Sequence, residues 1–309
     1  MTIEPVSLSR YDRDFAGFAG DLGRSFERYG FAVVADLDLP PAVIDRALAR
    51  AKAFFALPEA IKRRYQITGG AGQRGYTPFR VETAKGADHP DLKEFWHVGR
   101  DLPADHPYRA WLANNVWPDE VEGFRQDVGA LYSALDRLGA RLLRAVAHHL
   151  GRGCDGLEPA ARDGDSILRL LHYPPLLAGA QGVRAGAHED INAITLLLGA
   201  QEAGLELLDR DGRWLAVSPP AGSLVVNVGD MLQRLTNHRL PSTSHRVVNP
   251  STDRLGVARY SMPFFVHFAP DYRIETLPGC ITPERPNRYP EPITARAFLE
   301  QRLSEIGLG

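Results

Sequence analysis

Ala185-Gly-Ala-His188-Glu-Asp190-Ile-Asn-Ala-Ile194-Thr-Leu-Leu-Leu198 places two metal-ligating side chains two residues apart and then runs straight into an apolar strand. Side chains alternate across a β-strand, so residues i and i+2 share a face, and His188 and Asp190 are expected to point the same way. Similar short strands surround this one. Ile167-Leu-Arg-Leu-Leu-His-Tyr173 is stopped by Pro174-Pro175, and Leu205 to Val217 reads as a hairpin turning at Asp211-Gly212. Ser223 to Val228, Ser244 to Val248 and Arg259 to Phe268 complete the set. Short strands at regular spacing predict a sandwich or small barrel rather than a βαβ sheet.

The N-terminal half has a different period. From Asp14 to Tyr29, Phe15, Phe18, Ala19, Leu22 and Phe26 recur at helical spacing, and Gly30 marks the stop. A second helix is expected after Pro40-Pro41, through Ile44, Ala47, Ala51 and Phe54-Phe55, with a shorter one from Leu57-Pro58 to Tyr65. Asp91-Leu-Lys-Glu-Phe-Trp-His-Val-Gly99 alternates as a strand does. Pro118 to Leu150 then keeps spacings of three and four from Val121 to Val146 with no internal proline, which predicts one long helix or two abutting ones. A closing helix is expected near Ala295 to Ile306. The class is therefore α+β with a mainly β core. The chain reads as one domain over 1–309: a mostly helical part to about 150, a β core over 151–280 and a helical tail.

A third ligand for His188 and Asp190 has to come from another strand, and His245 opens one. His238, set among Asn237, Arg239 and Pro241, reads instead as a turn residue. Two imidazoles and one carboxylate leave three positions of an octahedral ion open, the arrangement of non-haem Fe(II) sites that activate O2. A structural zinc site would be closed by four protein ligands. His89-Pro90-Asp91 repeats the H-x-D spacing in a charged, proline-containing connection with no apolar strand leading out of it, and receives no function. Arg259 and Ser261 share a strand face among aromatic neighbours. A planar guanidinium with a hydroxyl beside it is a donor set for a buried carboxylate. Arg169, Leu171 and Tyr173 should also point one way. Tyr173 could meet the same carboxylate, while for Arg169 a second carboxylate and a structural ion pair both remain open. His172, on the opposite face, reads as a structural histidine, and His148-His149 as a helix C-terminal pair. Phe79, Phe265 and His267 are candidate walls of a substrate pocket. The glycine-rich Gly69 to Pro78 reads as a loop at its mouth, one that could serve as a lid.

Net charge is -2 over 309 residues, with 44% hydrophobic and 24% charged content, which describes an ordinary globular protein. That balance argues against nucleic acid and membrane surfaces as partners and for a small-molecule substrate. No run approaches the roughly 20 apolar residues of a membrane span, and no basic segment precedes an apolar one at the N-terminus. Cys154 and Cys280 are expected to be reduced in a cytoplasmic protein, acting as a monomer or homodimer.

The order of motifs is similar to that of the isopenicillin N synthase-like superfamily, which includes the plant-type 2-oxoglutarate/Fe(II)-dependent oxygenases. Tyr173-Pro-Pro, Gly186-Ala-His188-Glu-Asp190, Gly229-Asp-Met-Leu-Gln-Arg, Ser244-His245-Arg-Val and Arg259-Tyr-Ser261 carry the resemblance. Gly30-Phe-Ala-Val-Val, Phe54-Phe-Ala-Leu-Pro and Gly75-Tyr extend it into the first half. It implies a double-stranded β-helix (jelly roll) with helices packed outside. It also implies Fe(II) on His188, Asp190 and His245, and 2-oxoglutarate held at its distal carboxylate by Arg259 and Ser261 with help from Tyr173. Oxidation of a small molecule by O2 would then accompany decarboxylation of the oxoacid to succinate. Leu171 departs from the Asn-x-Tyr of many plant members. The family also holds oxidases that use no oxoacid, as in isopenicillin N synthase and the plant ethylene-forming oxidase. A rival of another class is a non-catalytic jelly roll that binds a carboxylated ligand, for which a complete ligand triad has no use.

Overall fold

In the computed structural model, residues 3–68, 72–83, 89–152, 156–176, 181–198 and 204–305 are described. Strand β1 (Pro5–Ser7) leads into helix α1 (Phe15–Tyr29). The Asp14 side chain accepts the Gly17 N–H at the start of α1, and Gly30, at a left-handed φ of 66°, caps its end through the Phe26 carbonyl. Phe18, Leu22 and Phe26 form its buried stripe. Strand β2 (Phe31–Ala35), helices α2 (Pro41–Phe55) and α3 (Glu59–Lys62) and strands β3 (Gly75–Thr77) and β4 (Glu94–Gly99) follow.

The long helix α4 (Phe124–His149) starts later than the expected Pro118. Gly123 takes a φ of 73°, so the chain turns there before the helix can propagate. At the other end of α4, His149 pairs with Glu27 at 3.0 Å and His148 packs edge-on against Phe15.

After α5 (Glu158–Ala161) come β5 (Ile167–Tyr173), β6 (Ala185–His188), β7 (Ile194–Leu198), β8 (Leu205–Leu208), β9 (Trp214–Ala216) and β10 (Leu224–Val228). Helix α6 (Asp230–Leu235), β11 (His245–Val247), β12 (Arg259–Val266), β13 (Arg273–Ile274), β14 (Ile293–Thr294) and α7 (Ala295–Glu305) complete the chain. The expected strands, hairpin and closing helix are all present. Gly69 and Gly70 of the expected loop, Cys154 and Ile306 lie outside the described residues.

The strands form an eight-stranded sheet in the order β1-β2-β10-β7-β12-β5-β4-β3 and a four-stranded sheet in the order β6-β11-β8-β9. The result is a jelly roll with helices outside, an α+β fold with a mainly β core. Alternation along the strands decides what each face meets. On β12, Met262, Phe264 and Val266 join Leu131, Leu135 and Leu142 of α4 in the large core, with Phe264 edge-on to Tyr132 at 5.0 Å. The opposite face looks at the smaller sheet: Phe95, Leu171 and Tyr173 cluster with Ala185 and Val247, and Phe31 and Val225 with Leu205 and Leu207. Among the described residues no helix is long and apolar enough to cross a membrane.

Candidate metal centre

His188 ends β6 and His245 begins β11, and the antiparallel register sets them directly opposite each other. Their ring centroids are 4.4 Å apart. Asp190 completes the cluster, though not by sharing a strand face with His188. Strand β6 ends at His188, and Asp190 lies in the connection to β7. Backbone bonds from Asp230 N to Asp190 O (2.8 Å) and from Gly229 N to Ala193 O (2.9 Å) tie that connection to the start of α6. A Cβ at Gly229 would lie 2.2 Å from the Asn192 carbonyl oxygen, so only glycine allows this approach.

One ligand atom from each of His188, Asp190 and His245 falls within 4.8 Å of the others. His188 Nε2 is 3.9 Å from Asp190 Oδ1, and His245 Nε2 is 3.9 Å from Oδ2. The remaining polar atoms are all engaged. His188 Nδ1 donates to the Gly186 carbonyl at 2.8 Å and His245 Nδ1 to the Thr243 carbonyl at 3.1 Å, since a carbonyl can only accept. Both Nε2 atoms are thereby left as acceptors facing the centre. Asp190 Oδ2 accepts Thr195 Oγ1 at 2.5 Å and Asn227 Nδ2 at 2.7 Å. Thr195 and Asn227 are register partners on β7 and β10, so one cross-strand pair braces the carboxylate.

Electrostatics favour a cation. Burial opposes ionisation of Asp190, but His245, His188 and the two hydrogen bonds outweigh it and hold its carboxyl below the usual range. Burial, reinforced by His245, pushes His188 down to about 4, so its imidazole is neutral at physiological pH. A neutral imidazole is the form that binds metal. An N2O donor set without thiolate fits a six-coordinate ion of the Fe(II) kind with open positions.

Beside the triad, Arg259 (2% exposed) donates to Ser261 Oγ at 3.2 Å, and its guanidinium lies 5.0 Å above the Tyr173 ring. Arg259 pairs with Tyr173, and Ser261 with Leu171, across β12 and β5. These side chains share the row that faces the smaller sheet. Phe265, further along it, is the register partner of Thr195. Buried His267 is lowered by burial, with Asp165 and then Asp190 among the charges that pull the other way. Phe79 is exposed on the segment beyond β3.

Arg169 lies between the rings of Phe95 (4.2 Å) and Phe265 (5.2 Å). It donates to His97 Nε2 at 2.5 Å and pairs with Glu82 at 3.3 Å. Of the two roles left open for it, the ion pair is therefore present. His172 faces outward, bonded to Glu94 at 2.7 Å and stacked on Tyr260, and His238 occupies a turn at φ 63° with Tyr289.

Several residues at the site escape a reading of the sequence alone. Thr195 and Asn227 are visible there as lone polar positions in the apolar runs Ile194-Thr-Leu-Leu-Leu and Leu224-Val-Val-Asn-Val. Lys93 and His97 share the parity of Phe95 on the alternating strand and therefore face inward. Asp91 and Glu82 give no such signal.

Known proteins match both halves of the chain. The family model for the N-terminal domain described as non-haem dioxygenase in morphine synthesis matches residues 3–120, and that of the 2OG-Fe(II) oxygenase superfamily matches residues 164–268. The 2-oxoglutarate-Fe(II) type oxidoreductase hxnY of Emericella nidulans is 35% identical, covering 87% of this chain and 79% of the relative. A 2OG-Fe(II) oxygenase family protein from Caulobacter crescentus is similar in structure with a TM-score of 0.93 and 61% identity, covering 98% of this chain and 99% of that one. A full-length Neurospora crassa protein in complex with alpha-KG and thymine matches with a TM-score of 0.86 and 28% identity, over 98% of this chain and 96% of that one.

Proposed function

The chain belongs to the 2OG-Fe(II) oxygenase superfamily and is an Fe(II)- and 2-oxoglutarate-dependent dioxygenase, and from that premise we propose the residues that do the work. His188 and His245 bind the ion through Nε2 and Asp190 through Oδ1, its Oδ2 being taken by Thr195 and Asn227. Arg259 and Ser261 hold the distal carboxylate of 2-oxoglutarate, with Tyr173 beside them. The observation that carries this is the convergence of three ligand atoms within 4.8 Å while every other polar atom of the three side chains is held elsewhere.

Bound Fe(II) supplies the redox chemistry, coupling decarboxylation of the oxoacid by O2 to oxidation of the substrate. The protein's own contribution is geometric. The carbonyls of Gly186 and Thr243 fix both imidazole tautomers, and Thr195 and Asn227 fix the carboxylate. Arg259, buried against Tyr173, provides a fork that orients a dicarboxylate before reaction.

The substrate is a small molecule lying against Phe265, Phe95, His97 and Arg169, with His267 deeper in the wall. A guanidinium between two phenyl rings suits a compact ligand with a flat face and an acceptor oxygen. Thymine in the Neurospora crassa complex is a ligand of that kind. One buried cluster runs from Val6 on β1 to Phe298 on α7, which supports treating 1–309 as a single domain. The buried Cys280 thiol and a ferrous cofactor both suit a reducing, cytoplasmic setting.

The test is O2 consumption by the iron-loaded protein with a panel of small cyclic metabolites. Consumption should require 2-oxoglutarate and release succinate in equal amount, and His188→Ala and Asp190→Ala should abolish it. Consumption that proceeds without the oxoacid, or survives either substitution, overturns the assignment.

A further inference from the structure

His89-Pro90-Asp91 has the spacing of the ligand motif and no ligand role, yet its aspartate is 4% exposed and directed at the real one. Asp91 Oδ1 accepts the N–H of Gly186 at 2.9 Å, and the carbonyl of the same Gly186 accepts His188 Nδ1 at 2.8 Å. Asp91 Oδ2 meets Lys93 Nζ at 2.7 Å, and Lys93 also pairs with Glu82 at 2.6 Å.

The local fold explains why Gly186 needs such a partner. Strand β6 lies at the edge of the smaller sheet, next to β11 alone. Its register with β11 shifts between the pairs His245↔His188 and Val247↔Ala185, so Gly186 and Ala187 together oppose Arg246. A bulge on an edge strand re-aims the side chain beyond it and leaves backbone groups outside the ladder. Here the side chain beyond is His188. The segment carrying Asp91 runs along this edge, with Leu92 N donating to Val183 O at 2.9 Å.

We propose that Asp91 is a positioning residue of the metal centre: its carboxylate, clamped by Lys93, pins the Gly186 peptide within the bulge and so sets the orientation of the His188 imidazole. This rests on His188 being a ligand. Asp91 itself does not touch the ion. Outer partners that fix a ligating histidine typically change metal affinity by about 10–100-fold when removed.

The experiment titrates metal-free protein with Co(II) without oxygen, following the visible d–d absorption and the binding heat, with urea unfolding of each metal-free variant alongside. The variants are His188→Ala, Asp91→Ala, Asp91→Asn and Asp127→Ala. Asp127 is the control, a buried carboxylate paired with Arg46 and Arg50 on the outer helices. Asp91→Ala should bind Co(II) about 10–100-fold more weakly, with an altered absorption band. Asp91→Asn should lose less, about threefold or more, because its amide oxygen can still accept from Gly186 while its NH2 opposes Lys93. Asp127→Ala should lose stability and keep its affinity. The proposal is overturned if Asp91→Asn, and Asp91→Ala where it folds, bind within twofold of the parent, or if Asp127→Ala weakens binding as much. Unchanged Co(II) binding by His188→Ala is a different result and removes the ligand assignment itself.

Discussion

Replacing Arg259 by lysine keeps the charge and removes the fork. Arg259 is 2% exposed, fixed by Ser261 Oγ at 3.2 Å and lying over the Tyr173 ring, so a carboxylate meeting it leaves water behind. A guanidinium binds a carboxylate through two parallel charge-assisted bonds, each contributing about 1.5–3 kcal/mol. Lysine supplies one, so Arg259→Lys should weaken 2-oxoglutarate binding by that amount, about 10- to 150-fold. Arg259→Gln removes the charge as well and should cost about 2–5 kcal/mol, or about 30- to 4,000-fold. Ser261→Ala removes one hydroxyl and should cost about 1 kcal/mol, roughly fivefold.

The assay is calorimetric titration of 2-oxoglutarate into Mn(II)-loaded protein without oxygen, paired with a metal titration of each variant in the absence of the oxoacid. Metal affinity should not change, because the groups that orient the three ligands are Gly186, Thr243, Thr195 and Asn227. If Arg259→Lys binds 2-oxoglutarate within threefold of the parent, the fork is not the anchor. If metal affinity falls in step, the substitution has disturbed the barrel and the electrostatic argument is wrong.

Thr195→Val keeps the shape and removes one of two donors to Asp190 Oδ2, so Fe(II) affinity should fall by about 10-fold or more; an unchanged titration would leave Asn227 as the sole brace. Burial, aided by Arg169, holds His97 well below its ordinary value, and burial lowers His267. As pH falls through about 6.5 the unfolded chain takes up protons that these folded histidines refuse, so their contribution is fully present above that pH and stability declines below it. The melting temperature of the metal-free protein between pH 8 and 5 checks this, and His97→Gln should flatten the decline; an equal slope in both proteins refutes the assignment. Leu171→Asn places an amide among Phe95, Tyr173, Ala185 and Val247 and should cost about 1–3 kcal/mol in urea unfolding with no gain in 2-oxoglutarate affinity; a tighter oxoacid complex would show that Leu171 is a lost polar contact.

The parts legible in the sequence are those where one local rule decides. Helical spacing from Phe15 to Phe26, the stop at Gly30 and the turn at Gly212 depend on neighbours a few residues away. So does the parity that sets Arg259 and Ser261 on one face. What stays hidden depends on pairing between distant strands. Alternation predicts a shared strand face for His188 and Asp190, but the strand stops at His188, and Asp190 is placed by its link to α6 and by its bonds to β7 and β10. Leu171 can be marked as a departure from a pattern, but not as one wall of a cluster spanning both sheets. Asp91 carries no signal of its role because its own surroundings are a charged, proline-containing connection; its partner lies 95 residues further on.

The metal centre straddles the two sheets, and this explains why its support is split. His188 and His245 belong to the smaller sheet, on strands only four and three residues long. The groups that brace Asp190 stand on central strands of the larger sheet, backed by α4 and the main core. The larger sheet is therefore the rigid reference, and the short strands must be brought to it. Each is restrained by something outside its own ladder. His245 has Phe31 of β2 edge-on at 5.5 Å, and the N–H of Gly186, two residues before His188, is held by Asp91, just before β4. Both restraints originate on the larger sheet or its flank. A metal held by two imidazoles from one sheet and a carboxylate braced by the other needs the spacing between sheets fixed more finely than apolar packing alone provides. Buried, directional contacts such as Asp91 to Gly186 and Thr195 to Asp190 supply that constraint.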